Sequence, residues 1–356
     1  MGILDKLKDL VGGSRRVVGI DLGSSAIKIA ILRDEKDTYV LEQGHVIPIP
    51  YDVASVEFLI EKRDFLTELK SIWNTLGLNK YESSLALPGS ATMLKRVKMD
   101  YVPEDRLEER VKREIVENFP FKLEEITFDY YVYEADPASG IDLLYIIARK
   151  DLIDASLRIF DAVGAYLTSI DSPLVSLANV AILSYPDIEA KEGVAVLDVG
   201  YKNTRLVVVH QGKIVYGRNI PEVGAVIANQ RIAELKGISL LEAEQMKLSG
   251  EVEEALLRDI ASVLADSLTR EIGLCIEHFF SFVGDSTLTK VLITGGGANT
   301  PYIIDEISKR VSLDIEAFSP LNGIKVSDEL DYVYIDELVP RLSIAIGAAI
   351  NLLIGD

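Results

Sequence analysis

Two stretches of this chain repeat one pattern. GIDLGSSAIKIAIL, from Gly19, and AVLDVGYKNTRLVVV, from Ala195, each run an apolar strand into an Asp, a Gly and small hydroxyl or amide residues, then resume as a second apolar strand. That pattern predicts a strand, a tight turn and a returning strand. Gly23 and Gly200 let each turn expose its backbone N–H groups, and such turns form concave anion sites that suit a β- or γ-phosphate. Ser24, Ser25, Asn203 and Thr204 add polar groups to the turns. Asp21 and Asp198 stand where a carboxylate can hold the water shell of Mg2+, an ion that keeps most of its waters and takes few protein ligands. Lys28 supplies a point charge for phosphate. One Asp-x-Gly between strands is ordinarily a plain turn. Two of them, followed by Gly295, Gly296 and Gly297 in VLITGGGAN, point to a nucleotide site.

Composition removes several other classes. The 356 residues are enough for two domains with separate cores. Cys275 is the sole cysteine, so an intramolecular disulfide and a thiolate metal cluster are both excluded, and LCIEHFFSF reads as the apolar face of a helix that packs it. His45, His210 and His278 are too scattered for a metal site. A net charge of −19 argues against a nucleic-acid surface and for basic partners or simple solubility. No run of apolar residues reaches the length of a membrane span and no signal core follows the start, so the expected location is the cytoplasm.

Along the chain, residues 1–13 form a first segment. Ile3, Leu4, Leu7, Leu10 and Val11 share one helical stripe, opposite Asp5, Lys6, Lys8 and Asp9, and Gly12 and Gly13 end it. Three readings stay open for it: a peg packed on protein, a weak interfacial membrane binder, and a disordered end. Residues 14–190 then read as one α/β domain carrying an inserted α+β module over 91–165, whose helix PEDRLEERVKREIVENF starts after Pro103 and whose strands FDYYVYEA and IDLLYIIARK flank a turn at Asp136 to Gly140. The helix DLIDASLRIFDAVG and the strand AYLTSID are assigned to the module as well. A second domain spans 191–335, with a hairpin turned at Gln211-Gly212, a helix starting at Gly224 and Ala225 whose N-terminus could face phosphate, and a long amphipathic helix from about Ala255 to Val283. PYIIDEISKRV is read as a helix with Pro301 at its start, and residues 336–356, containing PRLSIAIGAAINLL, as a helix returning to the first domain.

In the order and spacing of these motifs the chain resembles the actin-like ATPase superfamily. Asp21 to Lys28 matches its first phosphate loop, Asp198 to Thr204 its second, and Thr294 to Asn299 its adenosine motif, with Gly295, Gly296, Gly297 and Asn299 facing the nucleotide. The stretch after Asp171 and the C-terminal helix match its two connecting helices. In LEAEQMKL, Glu244 and Lys247 stand three apart on one helical face, matching the helix that lines the adenine and ribose end of the cleft; as a plain helix pair they would be unremarkable. Within the superfamily, GIDLGSSAIK and the position of the inserted segment make the chain similar to the PilM family of type IV pilus and type II secretion machines, with the FtsA family a near relative.

The resemblance implies a ribonuclease-H-like two-domain ATPase fold with an FtsA-type inserted subdomain, and ATP and Mg2+ as ligands. It further implies a cytoplasmic scaffold at the inner face of the membrane whose partner is the N-terminal tail of a PilN-like membrane protein, docked between the module and the first domain. Pilus assembly ATPases and self-association are further expected contacts. Asp171 and Asp198 are the candidate catalytic carboxylates, Asp171 either polarising an attacking water or capping the helix that follows. Relatives often carry Gln or Glu near Asp171, so slow hydrolysis or none is expected. Alternatives are an FtsA-like filament protein and an active ATPase or small-molecule kinase. Asp198 is read as facing the open cleft.

Overall fold

The computed structural model describes residues 14–35, 38–49, 59–185, 192–284, 286–330 and 332–354; the amphipathic stripe Ile3 to Val11 lies outside them. Both Asp-x-Gly segments form antiparallel hairpins of apolar strands buried on both faces. In the first half, β1 (Arg16–Leu22), β2 (Ala26–Glu35) and β3 (Thr38–Pro48) make a meander. Helix α1 (Arg63–Thr75) crosses over to β4 (Glu82–Ala86), which joins β1 in parallel. Phe65, Leu69 and Trp73 are the buried face of α1, and Gly77, at φ +65°, allows the left-handed turn that ends it.

The inserted module follows. Strands β5 (Thr92–Met99), β6 (Ile126–Asp136) and β7 (Gly140–Arg149) form a three-stranded sheet in the order β5-β7-β6, covered by helix α2 (Glu104–Asn118). Leu107, Val111 and Ile115 of α2 pack on Val97, Ile126, Leu143, Tyr145 and Ile147. Helix α3 (Lys150–Val163) and strand β8 (Tyr166–Asp171) were expected in this module, and the structure places both in the first half. Leu152, Ile159, Phe160 and Val163 of α3 share a core with α1, with Phe160 edge-on to Trp73 at 6.0 Å, and β8 pairs in parallel with β4. The module proper therefore ends at Arg149.

Helix α4 (Pro173–Ser184) leads into the second half, where the plan recurs. Strands β9 (Glu192–Val199), β10 (Thr204–His210) and β11 (Lys213–Ile220) form the second meander, closed at Gln211 and Gly212, whose φ values of 52° and 69° fit a type I′ turn. Helices α5 (Val226–Lys236), α6 (Leu240–Leu248) and α7 (Glu254–Val283) follow. Then come β12 (Thr287–Thr294), parallel to β9, helix α8 (Ile303–Ser308) and β13 (Asp314–Ala317), parallel to β12. Helix α8 begins two residues beyond Pro301, with Tyr302 at its N-cap in a left-handed conformation, φ +68°. Strand β14 (Ile324–Val326) adds to the edge of the first sheet, and helix α9 (Tyr332–Ile354) returns to pack on it.

The sheet orders β3-β2-β1-β4-β8 and β11-β10-β9-β12-β13 are the same ribonuclease-H-like arrangement used twice, and their pairing makes the actin-like two-domain fold. Alternate residues divide each sheet between two cores. The outward faces bury α1 and α3 on the first sheet and α7 on the second. The inward faces, Val17, Ala30 and Leu32 from one half and Val194, Val196, Val207 and Val209 from the other, share one apolar core built around α4 and α9. Helix α9 comes so close to β1 that a β-carbon on Gly19 would overlap the carbonyl of Ala345.

Candidate nucleotide site

The inward faces end, at the cleft, in charge. Asp21 is the direct register partner of Lys28 across β1 and β2, and Asp198 of Arg205 across β9 and β10. Lys28 Nζ lies 2.7 Å from Asp21 Oδ2, and Arg205 Nη1 lies 2.8 Å from Asp198 Oδ2. Contrary to the expectation from sequence, Asp198 is buried rather than open to the cleft. Burial pushes its carboxyl above the ordinary range, the Arg205 guanidinium opposes that, and the charge of Asp21 adds to it, so the two acids sense each other between the halves. Arg205 escaped the sequence reading, although the seven-residue spacing from Asp198 repeats that from Asp21 to Lys28. The turns also touch: the backbone N–H of Lys202 donates to Ser24 Oγ at 3.3 Å.

The second turn is held from behind. Asn203 O accepts the Gly200 N–H at 3.0 Å, Asn203 Oδ1 accepts the Glu222 N–H at 3.3 Å, and Thr204 Oγ1 donates to Val223 O at 2.7 Å. The N–H groups of Ala225 and Val226 donate to Gly200 O and Tyr201 O at 3.0 and 2.8 Å. The expected free N-terminus at Gly224 is therefore spent on the turn itself, and Gly224 is small because a β-carbon there would press on the Gly200 and Tyr201 carbonyls. Glu244 and Lys247 form an ion pair on α6, and Lys247 Nζ donates to Asn229 Oδ1 at 2.9 Å. Asn229 is fully buried.

The glycine triplet is strapped to the returning helix. Gly295, at φ +88°, donates its N–H to Pro340 O at 2.9 Å, and Thr294 Oγ1 bonds to Pro340 O at 3.0 Å and to Ser343 Oγ at 2.7 Å. A 3₁₀ turn from Gly296 to Asn299 follows, with Gly296 and Asn299 exposed and Gly297 buried against Val199. Among the described residues a β-carbon on Gly296 would meet only Arg341, at 3.8 Å, so the fold leaves room there.

Asp171 lies at the end of β8 in the row Asp21, Ala86, Asp171 that crosses β1, β4 and β8. The cap of α4 is not Asp171 but its neighbour: Ser172 Oγ accepts the Leu174 N–H. Asp171 Oδ1 accepts the Ser172 N–H and Oδ2 accepts the Ser176 hydroxyl, both at 2.7 Å. Burial raises its carboxyl to about 6 despite these bonds. Ser172 Oγ also pairs with Thr92 Oγ1 at 3.0 Å, and Asn219 of the second half donates to Thr92 O at 2.9 Å.

These residues fit a magnesium nucleotide. Asp21 Oδ1 is buried with no hydrogen-bond partner among the described residues, which is the state of an acceptor suited to a water or an ion. Among the described residues no group of three His, Cys, Asp or Glu side chains could hold a metal directly. Magnesium suits such a site because phosphate oxygens and waters fill most of its shell.

The family of the type IV pilus assembly protein PilM matches residues 19–352. This chain belongs to that family. Among solved structures, this PilM-family chain is similar to the PilM-PilN type IV pilus biogenesis complex, with a TM-score of 0.79 and 21% identity over 94% of this chain and 98% of that one. It is also similar to the ethanolamine utilization protein EutJ from Carboxydothermus hydrogenoformans, with a TM-score of 0.54 and 16% identity over 97% and 96%. At these identities the likeness speaks to the fold. No helix among the described residues is long and apolar enough to cross a membrane.

Proposed function

We propose that this chain is an ATP- and Mg2+-binding scaffold of type IV pilus assembly, which works at the inner face of the cytoplasmic membrane and holds the N-terminal tail of a PilN-like membrane protein. The observation that carries the nucleotide reading is the convergence of the Asp21–Lys28 and Asp198–Arg205 pairs from two halves joined at Ser24 and Lys202. Lys28 would hold phosphate, Asp21 and Asp198 the waters of the ion, and Gly296, Asn299, Glu244 and Lys247 the nucleoside end. ATP supplies the charge that draws the halves together; hydrolysis would be slow, since both Asp171 oxygens already serve the start of α4.

The partner reading rests on family membership and on the module. Among the described residues strand β6 is an edge of its sheet, and beside it a cavity of about 460 Å3 is lined by Glu108, Lys112, Leu123, Phe128, Tyr130 and Lys150. All of these belong to the module except Lys150, the first residue of α3. An extended tail can add to such an edge and place apolar side chains in the hollow.

The module also grips the second half. Tyr133 Oη accepts the Ile214 N–H at 3.1 Å, and the Arg96 guanidinium lies 4.8 Å from the Tyr133 ring centre and 5.0 Å from that of Phe282. A change in cleft closure would strain this seam, which gives the tail site a route to the nucleotide.

Calorimetry with Mg-ATP tests the nucleotide reading. Saturable binding with little turnover is expected. ADP release in proportion to an added acceptor would make the chain a kinase, and no binding would remove the nucleotide from the account.

A further inference from the structure

The inner faces of the two halves end alike. Val17 and Gly19 precede Asp21 on β1, and Val194 and Val196 precede Asp198 on β9; Lys28 is followed inward by Ala30 and Leu32 on β2, and Arg205 by Val207 and Val209 on β10. Each acid meets its cation directly across the strand pair, seven residues on in both cases. Lys28 therefore has a counterpart, and it is Arg205.

Arg205 is not fully used by Asp198. The residue is 5% exposed, its Nη1 bonds Asp198 Oδ2, and its buried Nε has no acceptor among the described residues. Its Nε lies at the boundary between the halves, close to the backbone of Gly89 of the first half: a β-carbon built on Gly89 would stand 3.2 Å from Arg205 Nε and 2.9 Å from Asn219 Oδ1. That oxygen is also buried without a partner among the described residues. A guanidinium is a planar fork of donors that matches phosphate oxygens two at a time, where an ammonium offers a point charge.

We propose that Arg205 is a second phosphate-binding cation, the counterpart of Lys28 in the other half, which rests on Asp198 and offers its unused donors to a polyphosphate held between the two turns. This rests on the nucleotide reading above. The four side chains sum to no net charge, so a polyphosphate entering between them finds two cations whose present partners are the two acids suited to the waters of Mg2+. The rival role is purely structural: Arg205 neutralises a buried carboxylate and nothing more. The two roles differ in how the loss scales with phosphate. A structural cation affects every ligand alike, whereas a phosphate-binding cation leaves the nucleoside untouched.

The full chain is titrated calorimetrically with adenosine, ADP and ATP, each with Mg2+, as the parent, Arg205→Gln and Arg205→Lys. Arg205→Gln is expected to weaken ATP at least tenfold while adenosine stays within twofold, and Arg205→Lys to recover most of the loss. Since Arg205→Gln leaves Asp198 buried without its partner, a second comparison uses a neutral background: Asp198→Asn against Asp198→Asn with Arg205→Gln, titrated with ATP without metal. There too the arginine is expected to be worth at least tenfold. Equal ATP affinity with and without Arg205 in both comparisons, or equal losses for adenosine and ATP, would overturn the assignment while the nucleotide reading stands. A parent that binds no ATP overturns that reading, and the assignment with it.

Discussion

Gly347 of the returning helix packs on the backbone of Ser176 in the other linking helix so closely that a β-carbon at 347 would overlap the Ser176 carbonyl. The two connections between the halves thus cross in direct contact, and Ser176 also donates its hydroxyl to Asp171. Overpacking at such a point forces backbone movement. Gly347→Val is expected to cost about 3 kcal/mol in urea unfolding. A variant with the parent's stability would mean that the helices separate freely and that the crossing is not a fixed pivot.

At Gly296 the opposite holds. The nearest atoms to a new β-carbon belong to Arg341 at 3.8 Å, an ordinary contact, and the position is exposed. Gly296→Val should therefore melt close to the parent and lose ATP affinity at least tenfold, because the side chain would fill space that the base or ribose needs beside the backbone. If melting temperature falls and affinity measured well below it is unchanged, the glycine serves the strand end and not the ligand.

The buried Asp171 gives a signed pH dependence. Its carboxyl rises from 3.8 to about 6 in the fold, chiefly through burial. The folded protein therefore holds the proton more tightly than the unfolded chain, and Asp171 withdraws stability progressively as pH rises through that interval, with the full penalty above it. Asn at this position can accept from the Ser172 N–H and donate to Ser176 Oγ. Asp171→Asn is expected to be more stable than the parent at pH 7 by about 2 kcal/mol. The gain should vanish below about pH 3, where the carboxyl is protonated in both states. Urea midpoints across this range check it, and a difference that does not change with pH would show that the carboxylate is not held against its own charge.

What the sequence makes legible is local. Two apolar runs joined through an Asp-x-Gly turn specify each hairpin within about a dozen residues, and Gly77 and Gln211-Gly212 stop a helix and turn a strand by backbone geometry alone. Addresses are not local. The apolar stripe of Lys150–Val163 announces burial equally well against the module or against Trp73, and only the fold chooses Trp73. A helix start with small residues at Gly224 and Ala225 reads the same whether its N–H groups meet phosphate or, as here, the carbonyls of Gly200 and Tyr201. Asp171 and Ser172 are both good capping residues, and strand β8 decides between them by ending on the first. Arg205 was within reach, since its spacing from Asp198 repeats that of Lys28 from Asp21, but an arginine in an apolar strand carries no local sign of the acid it will face.

A scaffold whose partner binding depends on nucleotide has a signature that one titration reads out. A synthetic N-terminal tail of the PilN-like protein is titrated into the full chain with and without saturating Mg-ATP. The account predicts one tail per chain and affinities that differ at least fivefold between the two conditions, with ATP affinity shifted by the same factor when the tail is bound, as linkage requires. A tail that binds equally well in both would contradict the coupling, and a tail that does not bind in either would contradict the scaffold.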